Sequence, residues 1–220
     1  MRSAGEVVTT GEMGEYAVPM PLPENKAPLQ PDRIRLAHIS DPHLTSLSNV
    51  SWRELLNKRV FGYLSWRWRR RYEHRREILA ELTEDLIHCN PDHIVITGDL
   101  THVGTPRECS EANGWLHALG PPDRISVIPG NHDCYALAEP AETVNLWLPY
   151  MLGDSAAREQ PTSPVFPYLR RRGPAAIIGL SSAAPSPIFL ATGSVGRLQL
   201  ATLESVLEET RKAKMFRILL

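Results

Sequence analysis

Cysteine is scarce in this chain, which holds only three cysteines in 220 residues, widely spaced and never arranged as Cys-x-x-Cys. A disulfide framework and a thiolate zinc site both bring cysteines in pairs, so the sequence argues against either. Unpaired cysteines are typical of proteins in a reducing compartment. We therefore expect a cytoplasmic protein.

Long apolar runs and an excess of either charge are also missing. No run reaches the ~18 apolar residues that cross a bilayer, and residues 1–31 lack the apolar centre of a signal peptide. The formal net charge is −1, which gives no overall attraction to nucleic acid or acidic lipid. Residues 1–31 hold five prolines without apolar periodicity. We predict a flexible tail there and one domain over residues 32–220.

Short apolar segments alternate with amphipathic ones through the rest of the chain. The apolar segments are bounded by turn residues, as buried strands are, and lie at residues 34–39, 93–97, 124–128, 175–180 and 216–220. Apolar spacing predicts one helix that begins near Glu73, a second that contains Trp115 and Leu119, and a third after Gly196. The predicted apolar stripes are Ile78, Leu79, Leu82, Leu86 and Ile87 in the first helix and Leu200, Leu203, Val206 and Leu207 in the third. This alternation predicts an α/β fold with a sheet layered against helices.

Side chains that bind metals directly follow three of the predicted strands. These motifs are Asp41-Pro42-His43, Gly98-Asp99 and Gly130-Asn131-His132-Asp133. Ligand sites in α/β sheets gather beyond the carboxyl ends of the strands, where motifs distant in sequence meet. Carboxylate, imidazole and amide oxygen suit divalent metals, and an extended segment would point Asp41 and His43 toward one ion. Each motif alone also fits a turn, a loop start or a helix cap, but their joint occurrence favours a metal site.

At these residues the sequence resembles the calcineurin-like metallophosphoesterase superfamily. The resemblance is carried by ISDPHL at residues 39–44, ITGDLT at 96–101 and VIPGNHD at 127–133, and it extends over residues 32–220. The sequence looks most like the bacterial branch that includes class III cyclic nucleotide phosphodiesterases. The resemblance implies a β-sandwich flanked by helices and a centre of two divalent ions, which are Fe, Mn or Zn.

The resemblance also implies a role for each motif residue. Asp41 and His43 would hold the first metal ion, and Asp99 would bridge both ions. Asn131 would hold the second ion, while His132 would act as the catalytic residue that contacts the phosphate and assists the leaving group. The implied reaction is attack on a phosphoester, with a phosphodiester favoured, by a metal-bound hydroxide.

The sequence departs from the family pattern in two places. Related phosphatases often have an acid three residues after the bridging aspartate, where it pairs with the motif histidine. Here that residue is His102, so we expect another residue, with Asp133 as the candidate, to orient His132. The family also completes its site with later histidines, whereas all eight histidines here lie at or before His132. We therefore expect a C-terminally truncated member that holds at most one ion firmly and hydrolyses phosphoesters weakly or not at all.

Residues 52–76 combine basic and aromatic side chains. Nine lysines and arginines stand against two glutamates, which gives a local charge of +7, and six aromatic residues are interleaved with them. Such a mixture suits nucleic acid, an anionic membrane surface or a cap over the substrate, with Arg67, Arg69 and Arg70 as candidate substrate or anion contacts. The structural alternative is a solvated basic face with the aromatic side chains packed inward.

Three functions follow from these observations. The first is a metal-dependent phosphoester hydrolase, with phosphodiesters favoured. The second is a truncated binding module for anionic ligands that is catalytically weak or inactive. The third is a peripheral-membrane hydrolase of lipid head groups, which the basic and aromatic residues support.

Overall fold

The structure is a computed structural model that describes residues 32–44, 76–134, 143–155, 161–162, 164–184 and 192–220. The tail predicted for residues 1–31 lies outside these ranges. Residues 45–75 also lie outside them, and with them most of the basic and aromatic stretch, including Arg67, Arg69 and Arg70. None of the helices in the described ranges is long and apolar enough to span a membrane.

Three parallel strands form the first sheet, in the order β1 (Leu36–Ile39), β2 (His93–Thr97) and β3 (Ile125–Ile128). Parallel strands require crossover connections, and helices α1 (Arg76–Cys89) and α2 (Pro106–Leu119) lie in these connections. Four of the five residues of the central strand β2 are buried, which explains its continuous β-branched run. The parallel pairing brings the carboxyl ends of all three strands to one edge of the sheet.

The second sheet contains β4 (Tyr168–Arg172), β5 (Ala175–Gly179) and β6 (Phe216–Leu219). β4 is antiparallel to β5, and β6 is parallel to β5 after a crossover through helix α3 (Arg197–Lys212). Gly196 is the N-cap of α3, as the sequence predicts. The helices, the parallel sheet and the mixed sheet confirm the predicted α/β class.

Two buried side chains of β4 connect the sheets. The Tyr168 hydroxyl donates to the Val127 carbonyl of β3 at 2.9 Å. The guanidinium of Arg170 is buried, and it donates to the carbonyls of Pro122, Ile125, Pro149 and Leu152. A buried charge without such bonds would cost several kcal/mol. These four carbonyls therefore stabilise a buried arginine inside β4. The sequence does not predict this strand.

A 3-10 segment, Val144–Met151, packs against α2 and was also not predicted. Trp147 and Tyr150 are fully buried. The Trp147 indole donates to the Cys109 carbonyl at 2.9 Å, and the Tyr150 hydroxyl donates to the Gly120 carbonyl at 3.3 Å. Pro149 lies inside the segment and is unfavourable within an α-helix, and the apolar run shows neither helical nor strand periodicity, so the sequence gives no clear signal for this element.

The predicted apolar stripes of α1 and α3 are partly wrong. Ile78 is 57% exposed and Leu82 is 46% exposed, and in α3 Leu200 is 50% exposed. The side of α1 that faces the core instead includes Thr83, whose hydroxyl donates to the Leu79 carbonyl at 2.7 Å. Because its polar group is satisfied within the helix, threonine can take a buried position that the apolar pattern assigns to leucine. The other core contacts of α1 come from Leu79, Leu86 and Ile87.

His93 in β2 links folding to pH. Its side chain is fully buried, and Nε2 forms a 2.8 Å hydrogen bond with the Ser126 hydroxyl. Burial first, and then the charges of nearby arginines, lower the pKa of His93 to about 2. In the unfolded chain His93 binds a proton as the pH falls through about 6.5, whereas in the folded chain it stays neutral at that pH. The stability that His93 contributes is therefore complete above pH 6.5 and is lost as the pH falls below it.

We expect this residue alone to lower the free energy of unfolding by about 1.4 kcal/mol per pH unit below 6.5, or about 2 kcal/mol at pH 5. A His93→Gln variant should therefore lose less stability than the wild type between pH 7 and pH 5, as measured by urea unfolding. His88→Gln, at an exposed position in α1, is the matched control and should keep the wild-type pH dependence. The same dependence in His93→Gln would contradict this explanation.

Candidate metal centre

Side chains from the first two motifs meet at the carboxyl edge of the first sheet. One donor atom from each of Asp41, His43 and Asp99 lies within 4.8 Å of the others. His43 and Asp99 are buried, whereas Asp41 is exposed. The cluster therefore has an open side from which an ion, water or a substrate can approach.

The backbone at these residues differs from the extended segment predicted for Asp41 and His43. The φ angles are 52° at Asp41, 42° at His43 and 51° at Asp99, all in the left-handed region. That conformation costs non-glycine residues about 1 kcal/mol each and persists where the surroundings fix it. Here the amide of His43 donates to the Asp99 carbonyl at 3.0 Å, and the amide of Leu44 donates to the Leu100 carbonyl at 2.9 Å. These bonds hold the turn after β1 against the turn after β2.

Two glycines allow the turns after β2 and β3 to touch. Gly98 has a φ of +80°, and a Cβ on it would lie 2.7 Å from the Cα of Gly130. A Cβ on Gly130 would lie 2.1 Å from Oδ1 of Asp99. This close approach lets the His132 amide donate to the same oxygen at 2.9 Å. His132 of the third motif thereby fixes the carboxylate of Asp99 in the second motif.

The chemistry of this donor set fits a divalent cation. Burial is the main cause of a raised pKa at Asp99, and the adjacent Asp41 carboxyl raises it further, while the amide and charge of His132 act in the opposite direction. Two adjacent carboxylates, one of them buried, are unfavourable when both are ionised without a cation between them. The Nδ1 of His43 donates to the Thr101 carbonyl at 2.8 Å, which leaves the lone pair of Nε2 for a metal ion.

The predicted pairing of Asp133 with His132 is wrong. The Nδ1 of His132 donates instead to the main-chain carbonyl of His102 at 2.5 Å. The buried carboxylate of Asp133 accepts from the amide and hydroxyl of Thr101, at 2.9 and 3.0 Å, and from the amide of Gly130, at 2.9 Å. Asp133 therefore joins the loop after β2 to the turn after β3, and burial raises its pKa to about 7.

Three imidazole rings pack together beside the carboxylates. The His102 ring stacks on the His43 ring with centroids 4.7 Å apart and an interplanar angle of 4°. The His132 ring meets His43 edge-on, with centroids 5.2 Å apart. Asn131 lies in the turn immediately before His132 and is half-buried. All the motif residues therefore lie at one edge of the sheet.

Sequence reasoning missed two residues that organise this region. Thr101 supplies the carbonyl that orients His43 and the groups that bind Asp133. Glu108 forms a capping box with Thr105 at the start of α2. The Thr-x-x-Glu spacing of residues 105–108 is a recognised signal for such a box, so the sequence does contain the information that identifies Glu108.

Comparison with known proteins agrees with this geometry. Residues 34–214 match the family model described as calcineurin-like phosphoesterase, a match that covers most of the chain and all three motifs. The search of curated proteins finds no significant match. The chain therefore belongs to the calcineurin-like phosphoesterase family, whose members are enzymes that hydrolyse phosphoesters with the help of divalent metal ions.

Proposed function

We propose that this chain is a metal-dependent phosphodiesterase whose reaction takes place at the carboxyl edge of the first sheet. The observation that carries the proposal is the convergence of Asp41, His43 and Asp99, with donor atoms within 4.8 Å of one another and one side open. These side chains come from two separate strand ends, and each is a type that binds divalent ions.

We assign the first ion to Asp41, His43 and Asp99, and the second to Asp99 and Asn131. The contact between Asp99 and the His132 amide supports a shared role for Asp99, because it fixes one oxygen while the carboxyl group stays beside Asp41. Divalent ions bound here would lower the pKa of a water molecule and neutralise the phosphoryl oxygens.

We assign the proton transfer to the leaving group to His132. Its Nδ1 donates to the His102 carbonyl, so only the doubly protonated ring carries a proton on Nε2, and that is the proton available to a leaving oxygen. The ring is half-buried and lies edge-on to His43. This position is close enough to the metal ligands for His132 to contact a phosphoester bound there.

A phosphodiester suits the charge of this site better than a phosphomonoester. A diester bears one negative charge near neutral pH, whereas a monoester bears about two. Among the residues that the structure describes, the side-chain charges that act on Asp99 are those of His132 and Asp41, and neither is a permanent cation such as the arginines that often bind dianionic phosphates. The resemblance of the motifs to class III cyclic nucleotide phosphodiesterases supports the same choice.

Hydrolysis of bis-p-nitrophenyl phosphate tests this proposal. We expect the full chain with Mn²⁺ to hydrolyse this diester faster than p-nitrophenyl phosphate and to lose the activity when the metal is chelated. His132→Ala should lower kcat by about 100-fold or more for an alkyl diester, whose alkoxide leaving group needs a proton, and by much less for this aryl diester, whose leaving group departs as a stable anion. His88→Ala, at an exposed position in α1, is the matched control and should leave kcat unchanged. Metal binding without metal-dependent hydrolysis of either ester would contradict the proposal and favour a binding module.

The number of protein donors predicts unequal affinities for the two ions. Among the motif residues, one position has three side-chain donors, from Asp41, His43 and Asp99, whereas the other has two, from Asp99 and Asn131. Catalytic ion sites usually have three protein ligands. We therefore expect one ion per chain to survive dialysis, as measured by elemental analysis, and turnover by the chain to be weak. Two retained ions with rapid turnover would show that the donor count is misleading.

The basic and aromatic stretch at residues 52–76 supports a second candidate, which is binding of an anionic ligand. Its local charge of +7 and its six aromatic residues suit single-stranded nucleic acid or an anionic membrane surface, and the latter fits hydrolysis of lipid head groups. We expect binding to anionic vesicles or to single-stranded nucleic acid that weakens as salt is added. Binding to neither would exclude this candidate.

A further inference from the structure

Glu108 is a buried carboxylate that binds more of the main chain than helix capping requires. Of the two bonds of the capping box, one uses the Glu108 carboxylate, since the Thr105 amide donates to its Oε2 at 3.0 Å. Oε1 also accepts from the His102 amide at 2.8 Å. The Val103 amide lies 3.4 Å from Oε1 and 3.3 Å from Oε2. The carboxylate therefore reaches beyond its own helix into the loop that follows β2.

These two further amides belong to the peptide groups whose carbonyls orient the histidines. The His102 amide shares a peptide group with the Thr101 carbonyl, which accepts from Nδ1 of His43 at 2.8 Å. The Val103 amide shares a peptide group with the His102 carbonyl, which accepts from Nδ1 of His132 at 2.5 Å. The N–H and C=O of a planar trans peptide point in opposite directions. Each peptide group therefore has Glu108 on one side and an imidazole on the other.

This arrangement affects both imidazoles by geometry and by polarisation. Rotation of either peptide group away from its histidine would break its bond to Glu108. A charged acceptor at the N–H end also polarises the peptide group, because consecutive hydrogen bonds strengthen one another. The carbonyl then accepts more strongly from Nδ1, and a strong acceptor at Nδ1 makes Nε2 a better ligand.

We propose that Glu108 is a positioning residue for His43 and His132 that acts through the peptide groups between residues 101 and 103. The effect of Glu108 on metal binding and catalysis rests on the proposed function, because that proposal assigns a metal ion to His43 and a proton transfer to His132. Asp133 holds the same loop from the turn after β3, through the Thr101 amide. The loop that orients both rings is thus fixed by two buried carboxylates.

Thr105→Ala is the control that separates this role from helix capping. The Thr105 hydroxyl accepts from the Glu108 amide at 3.2 Å and donates to Oε2 of Glu108 at 3.1 Å, so the alanine variant weakens the cap and removes one donor to the carboxylate. It leaves the bonds from His102 and Val103 to Glu108 in place. Glu108→Gln replaces one carboxylate oxygen by an NH₂ group that cannot accept, so at least one amide loses its partner. Both variants weaken the cap, and only Glu108→Gln releases the peptide groups.

Nitrogen-15 NMR of the histidine rings in the metal-free full chain at pH 8 tests the proposal. In the wild type we expect His43 and His132 to carry their protons on Nδ1. Glu108→Gln should move both rings toward a mixture of tautomers and lower Zn²⁺ affinity by at least about 10-fold, within the range for residues that support a metal ligand. Thr105→Ala should keep the wild-type ring signals and a Zn²⁺ affinity within about twofold of wild type. The rings of His88 and His117, both at exposed positions, serve as internal controls.

Wild-type ring signals in Glu108→Gln, or equal changes in both variants, would overturn the proposal. If Glu108→Gln does not fold, amide measurements on the wild type test the proposal. The amides of His102 and Val103 should then exchange slowly with solvent and show hydrogen-bond couplings to the carboxylate carbon of Glu108, and exchange at the rate of exposed amides would overturn the proposal. A wild-type chain that hydrolyses no ester would contradict the proposed function, while the ring and amide signals would still report on Glu108.

Discussion

Gly130→Ala is expected to lower the free energy of unfolding by about 3 kcal/mol and to abolish tight metal binding. The new Cβ would lie 2.1 Å from Oδ1 of Asp99 and 2.5 Å from its amide nitrogen, so atoms of that residue must move. Gly98 packs against Gly130 in the same place, which restricts any retreat of the turn. A displaced Asp99 would no longer lie with its carboxylate beside Asp41 and His43, and the metal would lose a ligand.

Gly114→Ala is the matched control for Gly130→Ala. Gly114 is exposed in α2, and a Cβ on it would meet no atom within 4 Å. Alanine is favoured over glycine inside a helix by roughly 0.5–1 kcal/mol, so this variant should be at least as stable as the wild type. Urea unfolding measures the stability of both variants, and calorimetric titration with Mn²⁺ measures affinity. Wild-type values for Gly130→Ala would contradict the close packing of the two turns.

Asp99→Asn is expected to weaken metal binding by more than about 100-fold and to stabilise the metal-free protein. The loss of affinity follows because a neutral amide replaces the carboxylate that we assign to both ions. The gain in stability follows from the raised pKa of Asp99, which is caused mainly by burial and further by Asp41. The unfolded chain releases this proton at a lower pH than the folded chain, so ionisation of Asp99 reduces stability as the pH rises. Asparagine removes that effect, and its side-chain oxygen can still accept from the His132 amide.

Melting temperatures of the metal-free proteins at pH 4 and pH 8 measure this effect. The advantage of Asp99→Asn over the wild type should be larger at pH 8, where the carboxyl group is ionised. Asp154→Asn provides the matched control, because Asp154 pairs with Arg172 at 2.8 Å and lies outside the metal cluster. It should leave metal affinity unchanged and cost at most about 1 kcal/mol. A metal-free Asp99→Asn protein that is less stable than the wild type at both pH values would contradict this reasoning.

The sequence identifies the members of the cluster better than the bonds that orient them. Asp41, His43 and Asp99 are recognisable because each follows an apolar strand, and parallel strands bring their ends to one edge. The orientation of His132 depends on a main-chain carbonyl, at His102. Every residue type supplies such a carbonyl, so side-chain chemistry alone could not select His102 over Asp133.

In the fold, too, the sequence predicts the strands that are marked by apolar residues, but it does not predict the strand that depends on packing. The five apolar segments lie where strands of the structure occur, because burial on both faces leaves a continuous apolar run. β4 was not predicted, since three of its five residues are arginines. The buried Arg170 depends on four carbonyls that are distant in sequence, and no local pattern contains that information.

Anomalous X-ray diffraction from crystals of the full chain grown with Zn²⁺ tests the metal centre most directly. We predict that the strongest zinc peak lies about 2.0–2.2 Å from Nε2 of His43 and from carboxylate oxygens of Asp41 and Asp99. A strongest peak elsewhere, or no peak at these three residues, would contradict the metal centre.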